Sequence, residues 1–353
     1  MSGVSGMRVV VAGGGAVGAC VALALDRRGA LVTLADPAPM GANASGVAAG
    51  MLAPVFETVL DGGGEHYDLL RAARERWTAF AATIGVELDT LGALGVGGTA
   101  DLDVWEGAAA RLGAAPRRLT RADAEALLAG LTAPDGGLLV ADDSRIDPMA
   151  ALAALRRASV DVSRVSAGVA DFASGRARLT SGEWIDADAM VIATGPSRSL
   201  AALAPRLADL TPVKGHILRA PGFTTAGPMI RLARGYICPG TEGAVIGASM
   251  EVGVEDTATD RSIVEDLRRQ VAGAVPCLSG AAVSAQAGVR AATLDGLPLV
   301  GPAVAPGVWL AVGMRRNGWL LAPLVADLIV AEVGGEAEPA FARRLDPARP
   351  SRA

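Results

Sequence analysis

The stretch Arg8-Val-Val-Val-Ala-Gly-Gly-Gly-Ala-Val-Gly18, with Leu31-Val-Thr-Leu-Ala-Asp36 after it, decides the fold. Arg8 to Ala12 is a short β-branched run of the kind that fills a parallel strand buried on both faces. Ala16 to Arg28 suits a helix, and Gly29 ends it as a C-terminal cap. Leu31 to Ala35 is a second strand, stopped by Asp36-Pro37. In a βαβ unit of this form Gly13 permits the tight turn, Gly15 lets the backbone approach a pyrophosphate, and Gly18 lets helix and strand pack closely. Ala16 and Val17 open the helix, whose N–H groups and positive dipole end face the phosphates. Asp36 stands 18 residues beyond Gly18, at the end of the second strand, where a carboxylate accepts hydrogen bonds from ribose hydroxyls. Glycine-rich turns occur in many α/β proteins; strand, glycines, helix, strand and acid in that order specify a dinucleotide site. The motif leaves NAD and FAD both open, and Asp36 would repel the 2′-phosphate of NADP.

A chain of 353 residues exceeds what one hydrophobic core usually serves, so two domains are expected. With 51% apolar and 20% charged residues there is ample material for a core and no sign of disorder. The 32 basic and 37 acidic residues leave a net charge of −5 with no basic run, so nucleic acid is a poor partner. Cys20, Cys238 and Cys277 have neither metal-ligand nor disulfide spacing; they read as small buried apolar side chains in a reducing, cytoplasmic setting. Neither apolar stretch reads as a membrane segment. Met7 to Leu25 has its charges, Asp26-Arg27-Arg28, after the apolar run, the reverse of a signal peptide. Trp319 to Val333 is too short to span and contains Pro323, Asp327 and Glu332.

Along the chain, Gly41 to Gly50 is a small-residue loop and Tyr67 to Ile84 an amphipathic helix. Thr120-Arg-Ala-Asp123 has the form of a capping box opening a helix through Leu128, and Asp147-Pro148 opens another to about Arg157. Strands are expected at Asp188 to Ala193, Pro212 to Arg219, Gly235 to Cys238, Ala244 to Ser249 and Trp309 to Gly313. A charged helix is expected from Asp260 to Ala274, and a last helix at the C-terminus. The alternation indicates α/β architecture. Informative stretches at both ends of the chain indicate a long cofactor held by several segments.

Taken in order, these blocks resemble the D-amino acid oxidase (DAO) superfamily of FAD-dependent oxidoreductases, and most closely its glycine oxidase branch, associated with thiamine biosynthesis. The resemblance covers nearly the full chain. Ala44-Ser-Gly-Val-Ala-Ala-Gly-Met-Leu-Ala-Pro54 is similar to the family's second flavin segment, implying FAD contacts from Ser45, Ala49, Gly50, Met51 and Leu52. Ala193-Thr-Gly195 is similar to its strand-end contact, and Gly168 is implied as a further cofactor residue. Gly313-Met-Arg-Arg-Asn-Gly-Trp-Leu-Leu-Ala-Pro323 is similar to the closing flavin segment, implying contacts from Gly313, Arg316, Asn317, Gly318, Trp319 and Leu320. Thr211-Pro-Val-Lys-Gly215 is similar to the start of its substrate domain. Gly288-Val-Arg-Ala-Ala-Thr-Leu-Asp-Gly-Leu-Pro298 is similar to the arginine-bearing strand. Tyr236 and Met250 are similar to active-site wall positions.

The resemblance implies a Rossmann-like FAD-binding domain of the glutathione reductase type, built from residues 1–83, 141–210 and 290–353. An α+β substrate domain with a large mixed sheet, from residues 84–140 and 211–289, is inserted between them. It also implies an amine oxidase acting on glycine, sarcosine or a small D-amino acid. Hydride would pass from the substrate Cα to the flavin with the amine neutral, O2 would be reduced to H2O2, and the imine would hydrolyse to the α-keto acid and ammonia. Arg290 is the candidate grip for the substrate carboxylate, because a guanidinium holds a carboxylate bidentately. Tyr236 would add a hydroxyl, Met250 an apolar wall, and Arg316-Asn-Gly318 a helix start at the flavin's pyrimidine end. The expected partners are a small amino acid and O2, with no nucleic acid and no membrane; a homo-oligomer is allowed. His66 and His216 show no arrangement with a nucleophile or carboxylate, and no metal constellation is visible. Met314, Arg315, Arg234 and Ala291 depart from the family's pattern, and the added positive charge would favour an acidic substrate or simply be solvated. Three rivals are weighed: a D-amino acid dehydrogenase using another acceptor; the flavin domain of a tRNA-modifying enzyme, against which the acidic balance and the lack of a basic patch argue; and a non-catalytic dinucleotide-binding protein.

Overall fold

The computed structural model describes residues 3–62, 64–240, 242–337 and 339–350. β1 (Arg8–Ala12), α1 (Ala16–Arg27) and β2 (Leu31–Ala35) form the expected βαβ unit. β1 is buried from Val9 onward because it is a central strand, paired in parallel with β2 on one side and with Ala189–Ile192 on the other. The six-stranded sheet runs in the order Leu299–Pro302, Val308–Val312, Ala189–Ile192, β1, β2, Ser163–Val165. Leu299–Pro302 is antiparallel to its neighbour and the remaining pairs are parallel. Strands from both halves of the chain thus build one sheet.

The helix Gly318–Val333 packs against α1 in a single apolar core, which explains why it is hydrophobic on nearly all sides. Pro323 lies inside that helix and cannot donate to the carbonyl of Trp319, four residues earlier. Trp77 supplies the missing donor from the helix Tyr67–Ile84: its indole Nε1 donates to the Trp319 carbonyl at 2.9 Å and to that of Leu320 at 3.1 Å. The proline is therefore tolerated without an orphaned acceptor.

The second layer is a large mixed sheet in the order Glu251–Val252, Thr211–Ala220, Ala244–Gly247, Tyr236–Cys238, Met229–Arg231, Ala93–Gly95, Gly137–Val140, Arg117–Leu119. It is mixed because Met229–Arg231 and Ala93–Gly95 pair in parallel. Ser284–Ala292 pairs with Thr211–Ala220 along its whole length, from Arg219↔Ser284 to Thr211↔Ala292. That strand crosses the boundary expected at residue 290 and brings Arg290 into the mixed sheet.

Helices Tyr67–Ile84, Arg121–Ala126, Pro148–Ala158 and Arg261–Ala272 fall where their caps and periodicity place them. Two expectations are corrected. The Gly41 to Gly50 segment is not all loop: Ala44–Val47 is a short helix capped by Asn43, whose side chain accepts from Ser45 N at 3.0 Å and Gly46 N at 3.3 Å. Cys277 is exposed, whereas Cys20 and Cys238 are buried; all three are free. No helix among the described residues is long and apolar enough to cross a membrane.

Candidate active site

A cavity of about 420 Å³ opens at the carboxyl ends of the parallel strands, the crevice where such sheets bind ligands. Gly13, Gly15, Ala16 and Val17 line it from the β1–α1 turn. Gly13 has φ +108°, and a Cβ there would sit 2.4 Å from the Ala193 carbonyl oxygen. Gly18 lies behind the wall; its Cβ would fall 1.9 Å from the Gly13 carbonyl oxygen, so helix and turn can approach this closely only as glycines. Asp36 reaches the cavity from the end of β2, with Oδ2 accepting from Gly14 N–H and Oδ1 from Ala38 N–H. Ser45 bridges the turn and the closing segment. Its Oγ accepts from the Ala16 N–H at 2.9 Å, and its carbonyl accepts from the Trp319 indole at 2.9 Å.

Gly168, Ala193, Thr194 and Gly195 continue the wall. Thr194 Oγ1 is buried without a hydrogen-bond partner, the state of a group that a ligand's polar atom would satisfy. Glycine cradle, helix start, acid at β2 and orphaned hydroxyl fit a dinucleotide. The cavity's continuation to Arg290, Gly313, Arg316, Gly318 and Trp319 fits one longer than a nicotinamide site within the first half of the chain would need.

Arg290 lies at that far end. Its guanidinium rests on the backbone of Gly215, where a Cβ would meet Nη2 at 2.3 Å and Cζ at 2.6 Å. Nη1 donates to the Ser249 carbonyl at 3.4 Å and lies 3.7 Å from the Met250 sulfur. Among the described residues no carboxylate pairs with it. Burial pulls the Arg290 guanidinium below its ordinary value, opposed by Tyr236 and Glu57 and reinforced by Arg316 and Arg315. A half-buried cation in this condition can pair with an anion. Tyr236 is buried behind the wall with its hydroxyl over Gly247, where a Cβ would meet it at 2.4 Å. Burial raises its phenol well above the ordinary value, so it is present as the neutral hydroxyl. Met250 is 48% exposed and stands beside Arg290, with its sulfur 3.7 Å from Nη1, rather than among the residues lining the cavity.

The residues that sequence reading missed form a charge network behind the site. Glu57, buried on the helix Pro54–Asp61, pairs with Arg231 at 2.9 Å and also with Arg316. Asp61, one turn further, pairs with Arg316 Nη1 at 2.6 Å and Arg315 Nη1 at 2.8 Å. Burial pushes the Glu57 carboxyl up, but the Arg231 and Arg316 guanidiniums outweigh it and hold it below its ordinary range. Burial likewise opposes, and Glu57 and Asp61 overcome, to raise Arg316. The positive charge expected from Arg315 is therefore not free: its half-buried guanidinium pairs with Asp61, which Arg316 shares. The only available signal was helical spacing, since Glu57 and Asp61 are four residues apart and share one face.

His216 corrects another expectation. It is fully buried, with Nδ1 at 2.9 Å from Glu251 Oε1 and 3.1 Å from Ser249 Oγ. Sequence distance hid this cluster, because the mixed sheet brings residue 216 beside 249–251. His66 sits between the Asp295 carbonyl at 3.1 Å and Arg344 at 2.9 Å. Several expected cofactor residues do not line the cavity. Leu52 and Leu320 are fully buried in the core, and Ala49 and Met51 lie beside it. Gly50 faces the Ile146 carbonyl, which a Cβ would meet at 2.1 Å. Asn317 faces a neighbouring cavity of about 480 Å³ that shares Met314 and Arg315 with the first. No cluster able to hold a metal ion occurs among the described residues.

Comparison with known proteins agrees with this geometry. Glycine oxidase of Geobacillus kaustophilus (strain HTA426) is 28% identical over 361 residues, covering 94% of each chain. The crystal structure of glycine oxidase from Geobacillus kaustophilus superposes with a TM-score of 0.85 at 25% identity, over 97% of this chain and 99% of that one. Iminodiacetate oxidase from Chelativorans sp. BNC1 shares the fold, with a TM-score of 0.85 at 22% identity over 96% and 99% of the two chains. The bifunctional tRNA 5-methylaminomethyl-2-thiouridine biosynthesis protein of Caulobacter sp. (strain K31) is 28% identical, with 92% of this chain matching 54% of that protein's length. The family pattern described as FAD dependent oxidoreductase (DAO) matches residues 8–332, from the first strand of the dinucleotide unit through the closing helix, and the chain belongs to that family of FAD-dependent enzymes.

Proposed function

We propose that this enzyme oxidises a small, neutral amino acid of the glycine, sarcosine or D-alanine type to its imine, with O2 as the electron acceptor and H2O2 as the product. The imine then hydrolyses in water to the α-keto acid and ammonia, or methylamine where the substrate is sarcosine. The observation that carries the reading is Arg290, a half-buried cation with no carboxylate partner among the described residues, lining the same cavity as the glycine turn. Its fork suits a substrate carboxylate, and Tyr236 lies behind it as a neutral hydroxyl. Bound FAD supplies the two-electron acceptor. Among the described residues none lining the cavity at Arg290 is placed as a general base; they bind, orient and exclude water. Asp36 would hold the adenosine ribose, the β1–α1 turn and first turn of α1 the pyrophosphate, and Gly313 with Arg316 and Gly318 the ring end. Among the described residues that line the cavity, Arg315 and Arg316 each have a carboxylate partner, Asp61 and Glu57, the latter shared with Arg231, whereas Arg290 has none, which suits one substrate carboxylate rather than two.

The test is an absorption spectrum of the purified protein followed by anaerobic glycine, sarcosine, D-alanine and D-aspartate. Bleaching of the flavin by one of the first three, reversed by air with release of peroxide, is the expected result. A flavin that bleaches but recovers only with an artificial acceptor moves the protein to the dehydrogenases, and one that bleaches best with D-aspartate overturns the charge argument. A place in thiamine biosynthesis, implied by the resemblance, is tested by whether loss of the gene makes growth depend on added thiamine.

A further inference from the structure

Thr211–Ala220 and Ser284–Ala292 present successive side chains to opposite faces of the mixed sheet. Val213, Gly215 and Arg290 share one face, and Arg290 lines the cavity; Lys214 and His216 lie on the other face. On that far face His216 accepts at Nε2 from the N–H of Asp260, the residue capping the helix Arg261–Ala272, at 2.8 Å. The proton is therefore on Nδ1, which donates to Glu251 Oε1 at 2.9 Å. Ser249 Oγ closes the cluster: it accepts from the backbone N–H of His216 at 2.8 Å and donates to Glu251 Oε1 at 2.6 Å. Both roles of that hydroxyl are used, so the backbone at residue 249 is tied to the sheet on the side away from the substrate. Arg290, lying across Gly215, reaches the carbonyl of the same residue, which accepts from its Nη1 at 3.4 Å, and Met250 follows directly, with its sulfur 3.7 Å from that nitrogen.

Arg290 has no carboxylate among the described residues to orient it, so its angle is set by its seat on Gly215 and by this carbonyl. We infer that Ser249, anchored by His216 and Glu251, is a positioning residue that presents Arg290, with Met250 beside it, to the substrate carboxylate. The inference rests on the reading of Arg290 as the carboxylate grip. It assigns a purpose to a cluster of buried His216 with half-buried Ser249 and Glu251 that the proposed chemistry does not otherwise use.

The experiment measures the dissociation constant of acetate on the oxidised holoenzyme, from the perturbation of the flavin spectrum, together with KM and kcat for the best substrate. Ser249→Ala raises the acetate dissociation constant and KM about five- to tenfold, the loss expected when one anchoring hydrogen bond is removed, while kcat stays within about twofold. Ser249→Thr keeps the hydroxyl and restores both constants. Glu251→Gln removes the charge that gathers the cluster and shows the same shift; it decides the matter if Ser249→Ala loses its FAD. Unchanged acetate affinity in FAD-replete Ser249→Ala and Glu251→Gln overturns the positioning role. Arg290→Ala separates the two layers: if it leaves acetate binding intact, the reading of Arg290 itself is wrong. If it abolishes binding while the other two variants bind normally, only the positioning role fails.

Discussion

Gly215→Ala isolates the placement of Arg290 from everything else in the protein. The new Cβ would lie 2.3 Å from Nη2 and 2.6 Å from both Cζ and Nη1 of Arg290, against an ordinary contact of about 3.5 Å, so the guanidinium must retreat by about 1 Å. The stability cost is small, because what moves is the far end of a flexible side chain. Gly215 has no positive φ, and a strand alanine would recover about 0.5 kcal/mol of chain entropy. The functional cost is large: a misplacement of about 1 Å in a binding group lowers turnover about a hundredfold, or about 2.7 kcal/mol of transition-state binding. The assay is kcat/KM for glycine and D-alanine beside the Tm of the holoenzyme, with Gly280→Ala, which places its Cβ in open space, as the control. Expected are a Tm within about 2 °C of the parent, full FAD content and a kcat/KM reduced by about two orders of magnitude. A variant that keeps its FAD and a kcat/KM within threefold of the parent would refute the reasoning, since Arg290 would then tolerate a shift that a bidentate grip cannot.

Three further outcomes follow from the site. Gly18→Ala places a Cβ 1.9 Å from the Gly13 carbonyl oxygen, backbone against backbone, and should purify without FAD and with stability lowered by about 2–3 kcal/mol, as read by urea unfolding. Thr194→Val removes a buried hydroxyl that has no protein partner; apo stability should hold or rise while FAD dissociates about tenfold more readily, measured by flavin fluorescence on dilution. Glu57→Gln strips the shared counter-charge from Arg231 and Arg316 and should cost about 3–5 kcal/mol at pH 8. The Glu57 carboxyl is held below its ordinary 4.5, so its contribution is complete above that pH and is lost as the pH falls through the lower folded-state value. The gap between parent and variant should accordingly narrow in acid, and a gap that widens would contradict the network.

The dinucleotide unit was legible because everything it needs is local. A β-branched run, glycines at 13, 15 and 18, a helix and Asp36 all lie within one short stretch, and each residue's role follows from backbone sterics or the helix dipole. The helices with clear caps were legible for the same reason. Short strands such as Ala93–Gly95 and Arg117–Leu119 were not, because three residues carry too little periodicity to read and are held by cross-strand partners distant in sequence.

For the site, local sequence identified Arg290 as a cation worth asking about, and resemblance identified what it would grip. Whether it was free depended on which carboxylates the fold brought near. Tertiary structure gave Arg315 and Arg316 to Asp61 and Glu57, left Arg290 without a carboxylate partner among the described residues, and gathered His216, Ser249 and Glu251 behind it. The physical reason is one of range: turn geometry, capping and strand burial are set by neighbours in the chain, whereas the charge state and orientation of a buried group are set by neighbours in space.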